Sequence, residues 1–179
     1  MRLFVYGMVA VSLVSSALGN ERRFGYSYEA TVAPKGQFAL ENWITYSHGT
    51  KEDSDARKLQ FRHELEYGLT DRLQLGVYLA TWSWTDPGSG AESETKYDDS
   101  AVVLKPNYFD PTVDAFGLAS YHEIKIGDEH VELENKVILQ KNMDELCLVY
   151  NLTLEAEWEG SDLNERSGEI KQTAGVSYE

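Results

Sequence analysis

The stretch 146–159 alternates strictly between two kinds of side chain over fourteen residues. One phase holds Leu146, Leu148, Tyr150, Leu152, Leu154, Ala156 and Trp158, and the other holds Cys147, Val149, Asn151, Thr153, Glu155, Glu157 and Glu159. Because strand side chains point alternately to two faces, this pattern predicts a strand with one apolar and one increasingly acidic face. Strands of soluble proteins usually have about 5–6 residues, whereas a tilted strand that crosses a bilayer needs about 9–11. Length and alternation together indicate a transmembrane β-strand.

Seven further segments show the same period of two, and none has the pattern of a long amphipathic helix. They are 37–47, 57–69, 73–84, 99–108, 115–126, 131–140 and 167–178. Segments of about 10–14 residues, at about 3.3 Å per residue and a tilt of about 45°, reach a height of about 23–33 Å. This height matches the hydrocarbon core of a membrane. The sequence therefore predicts an all-β fold, an antiparallel up-and-down transmembrane β-barrel with about eight strands in this chain.

The connections between these segments alternate in length. Short connections at 70–72, 109–114 and 142–145 alternate with longer polar ones at 48–56, 85–98 and 160–166, and only the link 127–130 is shorter than the pattern requires. Outer-membrane barrels of bacteria have short periplasmic turns and longer extracellular loops. The alternation favours such a barrel over a soluble β-sandwich and places the start of the barrel on the periplasmic side.

The first nineteen residues have the features of a secretory signal peptide. Arg2 precedes an uncharged stretch from Leu3 to Leu18, and the small residues Ala17 and Gly19 stand at a suitable cleavage position. We therefore expect residues 1–19 to be a signal peptide, 20–35 an N-terminal periplasmic segment without a clear period, and 36–179 the barrel domain. No later segment approaches the roughly 18 consecutive apolar residues that a membrane-spanning helix requires.

Composition excludes several other classes of function. The formal net charge of −14 argues against nucleic acid as a partner, because phosphates require basic patches. The single Cys147 excludes an internal disulfide framework and is expected to fill space as a small residue. No serine nucleophile elbow, HExxH motif or Cys/His metal spacing occurs, and His48 and His130 lie beside acids that are common throughout the chain. We expect no catalytic activity, no cofactor and no metal ligand set.

The polar phases of the strands face the lumen if the apolar phases face lipid. The candidate lumen-lining residues are Arg62, Glu64, Glu66, Glu123, Lys125, Glu132, Glu134, Lys136, Glu155, Glu157, Glu169 and Lys171, and the same phases include Glu41, Asp99 and Lys105. Two interpretations remain open. The acidic majority favours passage of cations or polar solutes over anions. Alternatively, the charges form an ion-pair lattice that braces the wall, since small barrels are filled by side chains.

Four polar residues interrupt the apolar phases in the middle of strands. Counting residues around the intervening loops places Asn42 beside His63 and His122 beside Asn135. We predict that each is a cross-strand hydrogen-bonded pair, because pairing lowers the cost of burying either group in lipid. A contact to another subunit, or a bulge that turns one residue inward, are the alternatives.

Four sequence pieces, taken in order, resemble transporter-like outer-membrane barrels of the meta-pathway of phenol degradation type. The pieces are EYGLTDRLQLG at 66–76, FGLASYHE at 116–123, ELENK at 132–136 and NLTLE at 151–155. The resemblance implies a barrel of about a dozen strands and solutes that are hydrophobic or aromatic, although its motifs are structural. Such barrels end on an aromatic residue that the barrel-assembly machinery uses. The sequence here stops at Glu179 directly after the last predicted strand, which predicts truncation at the C-terminus. The alternative is that the eight strands close a barrel by themselves, since even-numbered barrels begin at eight.

These features together predict a protein of the bacterial outer membrane. The expected partners are outer-membrane lipid and lipopolysaccharide, the barrel-assembly machinery and a small-molecule solute. The leading hypothesis is a passive channel or uptake porin for small molecules. A structural or adhesive barrel with a plugged lumen is the second hypothesis, and a soluble periplasmic β-protein is the third.

Overall fold

The computed structural model describes residues 9–12, 22–50, 53–88 and 90–178 of the chain. Their strands form one antiparallel sheet in which the spatial order equals the sequence order. The strands are β1 (Val9–Ser12), β2 (Phe38–His48), β3 (Arg57–Thr70), β4 (Leu73–Asp86), β5 (Glu94–Phe109), β6 (Gly117–Gly127), β7 (His130–Met143), β8 (Leu146–Glu159) and β9 (Glu165–Tyr178). No helix among these residues is long and apolar enough to cross a membrane.

The prediction of an all-β, up-and-down, barrel-like fold is confirmed, because β2 to β9 follow one another in a single curled half-barrel sheet. These eight strands contain 11 to 16 residues each and correspond to the eight predicted segments. The largest difference is in β5, which begins at Glu94, whereas the sequence predicted a start at Asp99. The added residues continue the ladder with β4, where Glu94 pairs with Thr85 and Tyr97 pairs with Trp82.

The strand β1 lies at one edge of the sheet, where Val9 to Ser12 pair with Tyr46 to Trp43 of β2. The predicted signal peptide, residues 1–19, includes β1 and otherwise falls outside the described residues. Its cleavage, which would remove β1 from the sheet, stays a prediction. The expected larger barrel of about twelve strands also stays a prediction.

A β-bulge in β4 adjusts which side chains face outward. The register between β4 and β5 shifts between Tyr78 and Thr81. Tyr78 and Thr81 are both buried on the same side of the sheet, although three positions separate them. The shift therefore turns Trp82 and Trp84 to the face that also carries Leu79. The strictly alternating pattern predicted for 73–84 did not include the extra residue of a bulge.

A side-chain contact between two strands that are not neighbours shows that the sheet is curled. The guanidinium of Arg62 on β3 lies 4.0 Å from the Glu123 carboxylate on β6 and 4.4 Å from the centre of the Tyr78 ring. In a flat sheet, three strand spacings would separate β3 and β6 by about 14 Å. The two side chains meet because the sheet bends around them, and this bend defines a concave and a convex face.

Residues 22–36 run across the concave face, and we refer to them as the N-terminal segment. Ala30 of this segment is fully buried in a cluster with Tyr78, Tyr121 and Ile138, against which Tyr28 packs. The core of the described chain therefore lies between the N-terminal segment and the inside of the sheet. The contact with the sheet was not predicted, because an extended segment without regular alternation gives no periodic signal. The periplasmic location of residues 20–35 stays a prediction.

One glycine permits the N-terminal segment to leave the concave face and enter β2. A Cβ atom on Gly68 would overlap the carbonyl oxygens of Ala33 and Pro34. Backbone hydrogen bonds join the same region, from Gly36 N to Gly68 O at 2.8 Å and from Gly68 N to Gln37 O at 3.0 Å. The absence of a side chain at residue 68 is thus what lets the two backbones touch.

Candidate functional site

Amide side chains of the concave face hold the backbone of the N-terminal segment. Tyr28 N donates to Asn151 Oδ1 at 2.6 Å, and Asn151 Nδ2 donates back to Tyr28 O at 3.0 Å. Ala30 N donates to Gln140 Oε1 at 2.8 Å, and Asn107 Nδ2 donates to Ala30 O at 2.7 Å. These side chains satisfy buried backbone groups that the sheet ladder cannot reach. The three amides come from β8, β7 and β5, so they fix the segment across the sheet.

Further along, the N-terminal segment is also fixed to strands near opposite edges of the sheet. Ser27 Oγ contacts Thr173 Oγ1 of β9 at 3.1 Å, whereas Ala33 N donates to Gln74 Oε1 of β4 at 2.7 Å. Lys35 N then reaches Asp71 Oδ1 in the β3–β4 turn at 3.2 Å. The segment therefore crosses the half-barrel close to the end at which the short turns lie and obstructs the concave face there.

The aromatic ring of Tyr28 is surrounded by cations. Lys136 Nζ lies 3.8 Å from the ring centre, the Arg22 guanidinium lies 4.2 Å away and Lys105 Nζ lies 5.9 Å away. Each distance is within the range of a cation–π contact. Burial alone would lower the pKa of Arg22, but Tyr28 and the Glu41 carboxylate outweigh it and raise this pKa well above its usual value. Arg22 is therefore a permanently charged group inside the half-barrel.

All twelve candidate lumen residues occupy the strand phases that carry the contacts to the N-terminal segment. Each lies on the same side of its strand as a residue that contacts or faces the N-terminal segment: Gly68 on β3, Tyr121 on β6, Gln140 on β7, Asn151 on β8 and Thr173 on β9. By strand, the candidates are Arg62, Glu64 and Glu66 on β3; Glu123 and Lys125 on β6; Glu132, Glu134 and Lys136 on β7; Glu155 and Glu157 on β8; and Glu169 and Lys171 on β9. Two further charged residues, Glu41 and Lys105, are also on this face.

Most of these charges form ion pairs with neighbours on the concave face. Lys125 Nζ lies 3.2 Å from Glu123 and 3.0 Å from Glu132, and Lys136 Nζ lies 2.8 Å from Glu134. Glu123 also accepts a hydrogen bond from the buried Tyr121 hydroxyl at 2.5 Å. The pairs connect β6 and β7 on their inner side, and they support the interpretation of these residues as a lattice that braces the wall.

The lattice continues towards β8 and β9. Lys171 Nζ lies 2.6 Å from Glu155 and 3.2 Å from Glu169. His130 Nδ1 lies 3.1 Å from Glu157, so this histidine joins the same network. Its contacts with Glu132 and Glu157 are those of a charge-paired side chain.

Glu41, Glu64 and Glu66 are arranged differently, and we refer to them as the acidic trio. One carboxylate oxygen from each lies within 4.8 Å of the others. Glu41 and Glu64 are register partners on β2 and β3, and Glu66 follows on the same face of β3. Arg22 Nε contacts Glu41 at 3.0 Å. Glu64 and Glu66 were predicted as lumen residues from their strand phase, but the nearby cation, which the N-terminal segment supplies, was not predicted.

A cavity of about 250 Å³ lies beside the N-terminal segment on the concave face. Its charged and aromatic lining residues are Tyr26, Tyr28, Trp43, Arg62, Glu134, Lys136, Glu155 and Lys171. The lining carries both signs of charge together with aromatic rings. A small polar or amphiphilic molecule would fit these dimensions, whereas a macromolecule would not.

The convex face holds the two predicted polar pairs, and both are confirmed. His63 Nδ1 lies 2.7 Å from Asn42 Oδ1, and His122 Nδ1 lies 2.7 Å from Asn135 Oδ1. Both are direct register partners on neighbouring strands. The ladder between β3 and β4 is irregular at His63, but His63 stays on the convex face. The bulge alternative therefore does not apply.

The His122 pair is part of a longer hydrogen-bonded chain on the convex face. His122 Nε2 lies 2.9 Å from Ser120 Oγ, which in turn lies 2.9 Å from the Tyr108 hydroxyl. Together with Asn135, these side chains link β5, β6 and β7. Few polar atoms of these four side chains lack a hydrogen-bond partner, which suits an environment without water.

Most of the rest of the convex face is apolar and exposed. Leu79, Ile126 and Leu154 expose 60%, 55% and 50% of their surface, although each lies in a long strand. Other exposed apolar residues on this face are Phe38, Leu40, Leu65, Val102, Leu104, Ile124, Leu133, Val137, Leu139, Ile170 and Val176. Such residues follow one another across all eight long strands. Soluble monomers rarely expose a contiguous apolar patch of more than a few hundred Å², whereas this apolar surface extends across the whole sheet.

Comparison with known proteins identifies one relationship. The sequence profile of a family of unknown function, DUF6662, matches residues 16–174. The chain belongs to this family. No curated protein and no solved structure matches it. The DUF6662 match covers the N-terminal segment as well as β2 to β8 and most of β9, so the segment and the sheet belong to the same family region.

Proposed function

We propose that the chain forms the wall of a β-barrel in the bacterial outer membrane and that this barrel passes small molecules. The observation that carries the proposal is the division of the sheet into an exposed apolar convex face and a charged concave face. In a soluble protein, a sheet buries its apolar side against another layer. Here the buried side is the charged one, which is the arrangement of a wall between lipid and a polar interior.

The dimensions of the strands support this proposal. The fourteen residues of β8 have a length of about 46 Å at about 3.3 Å per residue, which a tilt of about 45° reduces to a height of about 33 Å. The hydrocarbon core of a bilayer is about 30 Å thick. Fully burying one leucine side chain is worth about 1.5–3 kcal/mol, so the many exposed apolar side chains provide a large driving force for entering lipid.

The concave face supports a narrow rather than a wide pathway. The cavity of about 250 Å³ and the paired charges around it leave room for small polar or amphiphilic solutes. The N-terminal segment crosses the same face and favours the second candidate, a structural barrel whose lumen is plugged. The two candidates differ in whether the segment ever leaves its place.

Export and assembly follow from the same proposal. Residues 1–19 act as a cleaved signal peptide, and the barrel-assembly machinery inserts the mature chain among outer-membrane lipid and lipopolysaccharide. The proposed role is transport without chemical conversion of the solute, so it requires no catalytic group and no cofactor.

The deciding experiment is conductance of the purified full chain in planar bilayers, compared with the variant Asn151→Leu. Asn151 holds the segment backbone through two hydrogen bonds, so its loss loosens the obstruction. We expect small single-channel currents that increase in the variant. Thr95→Leu, in an exposed part of β5 away from the segment, serves as the control and should match the unchanged chain. A complete absence of current in all three proteins would remove the channel and leave the plugged barrel.

A further inference from the structure

The acidic trio concentrates three negative charges in a small, shielded volume. Glu64 is only 1% exposed and Glu66 only 7%. Oxygens at most 4.8 Å apart repel one another strongly unless a cation or a proton lies between them. The trio is therefore a position at which the surrounding groups must supply positive charge.

The described residues do not provide a partner for every oxygen of the trio. The oxygen Oε2 of Glu64 is buried without a hydrogen-bond partner, and Oε2 of Glu41 is in the same condition. Buried polar atoms in native proteins nearly always have a partner, so two orphaned carboxylate oxygens at one place indicate a missing ligand. A buried, unpaired carboxylate is also costly to keep.

A second acidic cluster on the same face provides the contrast. Glu132, Glu134 and Glu155 also bring their oxygens within 4.8 Å of one another. Each of them, however, contacts a lysine at 2.6–3.0 Å. None of their oxygens is among the buried side-chain atoms without a partner in the described chain. The need for a further cation is thus specific to the acidic trio.

Arg22 of the N-terminal segment partly occupies this position. Its Nε lies 3.0 Å from Glu41 Oε1, and its guanidinium also contacts the rings of Tyr28 and Trp43 at 4.2 Å and 4.9 Å. Among the residues that the structure describes, the buried Lys105 also interacts electrostatically with all three carboxylates. Three carboxylates thus face two cations, so their charges balance only when a further cation or a proton is bound.

We propose that the acidic trio is a divalent cation site for Ca²⁺, for which Arg22 of the N-terminal segment competes. Carboxylate oxygens are the preferred ligands of hard cations, and Ca²⁺ binds them at about 2.3–2.6 Å in flexible geometry. Two oxygens on one Ca²⁺ ion are therefore at most about 5 Å apart, which the trio satisfies. Mg²⁺ requires shorter distances and a nearly ideal octahedron, so it fits less well.

The balance of charge explains why Ca²⁺ and Arg22 exclude one another. A divalent ion in place of Arg22, together with Lys105, neutralises the three carboxylates. The same ion added beside Arg22 leaves a net positive charge in a buried place, which is unfavourable. Binding of Ca²⁺ therefore releases the end of the N-terminal segment from β2. The site consists of contacts within the half-barrel, and it does not depend on the membrane or on any solute.

The test uses calorimetric titration of CaCl₂ into the full chain, solubilised in detergent and freed of metal by a chelator. Removing the competitor with Arg22→Gln should produce binding of one Ca²⁺ ion, at least about tenfold tighter than in the unchanged chain. Adding Glu64→Gln to this variant should weaken the binding by about tenfold or more, the range that loss of supporting groups causes in metal sites. Glu66→Gln in the same background provides a second test if the first double variant does not fold.

The matched control is Glu155→Gln in the Arg22→Gln background, since Glu155 belongs to the second, lysine-paired cluster. Its affinity for Ca²⁺ should equal that of Arg22→Gln alone. Circular dichroism confirms that each variant keeps its β-structure. The proposal fails if Arg22→Gln binds no Ca²⁺, or if Glu155→Gln weakens binding as much as Glu64→Gln does, because adsorption to an acidic surface would then explain the result.

Discussion

Two buried glutamates on the concave face differ in their partners, and this difference predicts opposite effects on stability. Glu123 accepts from Tyr121 at 2.5 Å and contacts Lys125 at 3.2 Å, whereas Glu64 has an oxygen without any hydrogen-bond partner in the described chain. Breaking a buried ion pair costs about 3–5 kcal/mol, so Glu123→Gln should lower the free energy of unfolding by roughly this amount or somewhat less. Glu64→Gln should leave it unchanged or raise it, because a costly buried charge is removed.

Urea unfolding in detergent micelles, followed by circular dichroism in the presence of a chelator, measures both variants under one condition. The chelator matters because bound Ca²⁺ would stabilise the chain that retains Glu64. An equal loss of stability in the two variants would contradict the assignment of Glu64 as a poorly compensated charge.

The polar pairs on the convex face provide a second test of single residues. Asn135→Leu leaves His122 Nδ1 without its partner at 2.7 Å, and we expect the free energy of unfolding in lipid to fall by about 1–2 kcal/mol. The double variant with His122→Leu removes both partners and should recover much of this loss. Asn42 and His63 offer an independent copy of the same double-mutant cycle. Strictly additive effects in both cycles would mean that the hydrogen bonds contribute nothing.

How far the sequence predicts these contacts depends on their separation along the chain. Asn42 and His63 were predicted because a single hairpin joins them, so counting residues around one loop fixes their register. The contact of Tyr28 with Asn151 spans 123 residues, and no local pattern in an extended segment predicts it. The acidic trio was predictable in part. Glu64 and Glu66 share one strand phase and were predicted to face the same side, but the contact of Arg22 depends on the path of the N-terminal segment, which the sequence does not predict.

At the scale of whole elements, the N-terminal segment depends on a glycine in β3. A methyl group at residue 68 would overlap the backbone of Ala33 and Pro34, so Gly68→Ala should displace the segment from the concave face. We expect chymotrypsin to cleave after Tyr28 at least several times faster in this variant, since that bond is otherwise held against the sheet. Mass spectrometry of the early fragments identifies the cleavage position.

A second strand glycine provides the control for this prediction. A Cβ on Gly168 of β9 would come no closer than 3.6 Å to Glu155 O, which is an ordinary contact. Gly168→Ala therefore carries the same change in backbone freedom without the overlap, and its cleavage should match that of the unchanged chain. Equal cleavage in the two alanine variants would show that Gly68 does not position the segment.

Strand existence and strand phase were predictable to different degrees. All eight long strands were predicted, because alternation over ten or more residues is a strong signal for a β-strand. The bulge in β4 was not, since Leu79 and Trp82 lie on one face only after one extra residue is inserted. The early start of β5 was also missed, because 94–98 is polar and resembles a loop in composition although its backbone pairs with β4.

At the scale of the whole molecule, the two faces of the sheet have inverted roles compared with a soluble protein. The concave side buries Glu64, Glu123 and Lys136, while the convex side exposes leucine, isoleucine and valine. Charges inside are tolerated because most are paired, and apolar groups outside are favourable only if the surroundings are apolar as well. The fold and the proposed location therefore support one another through a single physical requirement.

This requirement predicts how the molecule responds to a charge on its convex face. Leu154 lies near the middle of β8 and is 50% exposed, so Leu154→Lys would be almost neutral, within about 0.5 kcal/mol, on a surface that meets water. On a surface that meets lipid, the same change should cost about 2–4 kcal/mol of unfolding free energy. Reversible unfolding in phospholipid vesicles measures the difference. Ser93→Lys in the exposed loop before β5 is the control, because it adds the same charge outside the strands, where no lipid contact is expected. A loss below 0.5 kcal/mol for Leu154→Lys would favour a soluble periplasmic protein over a membrane barrel.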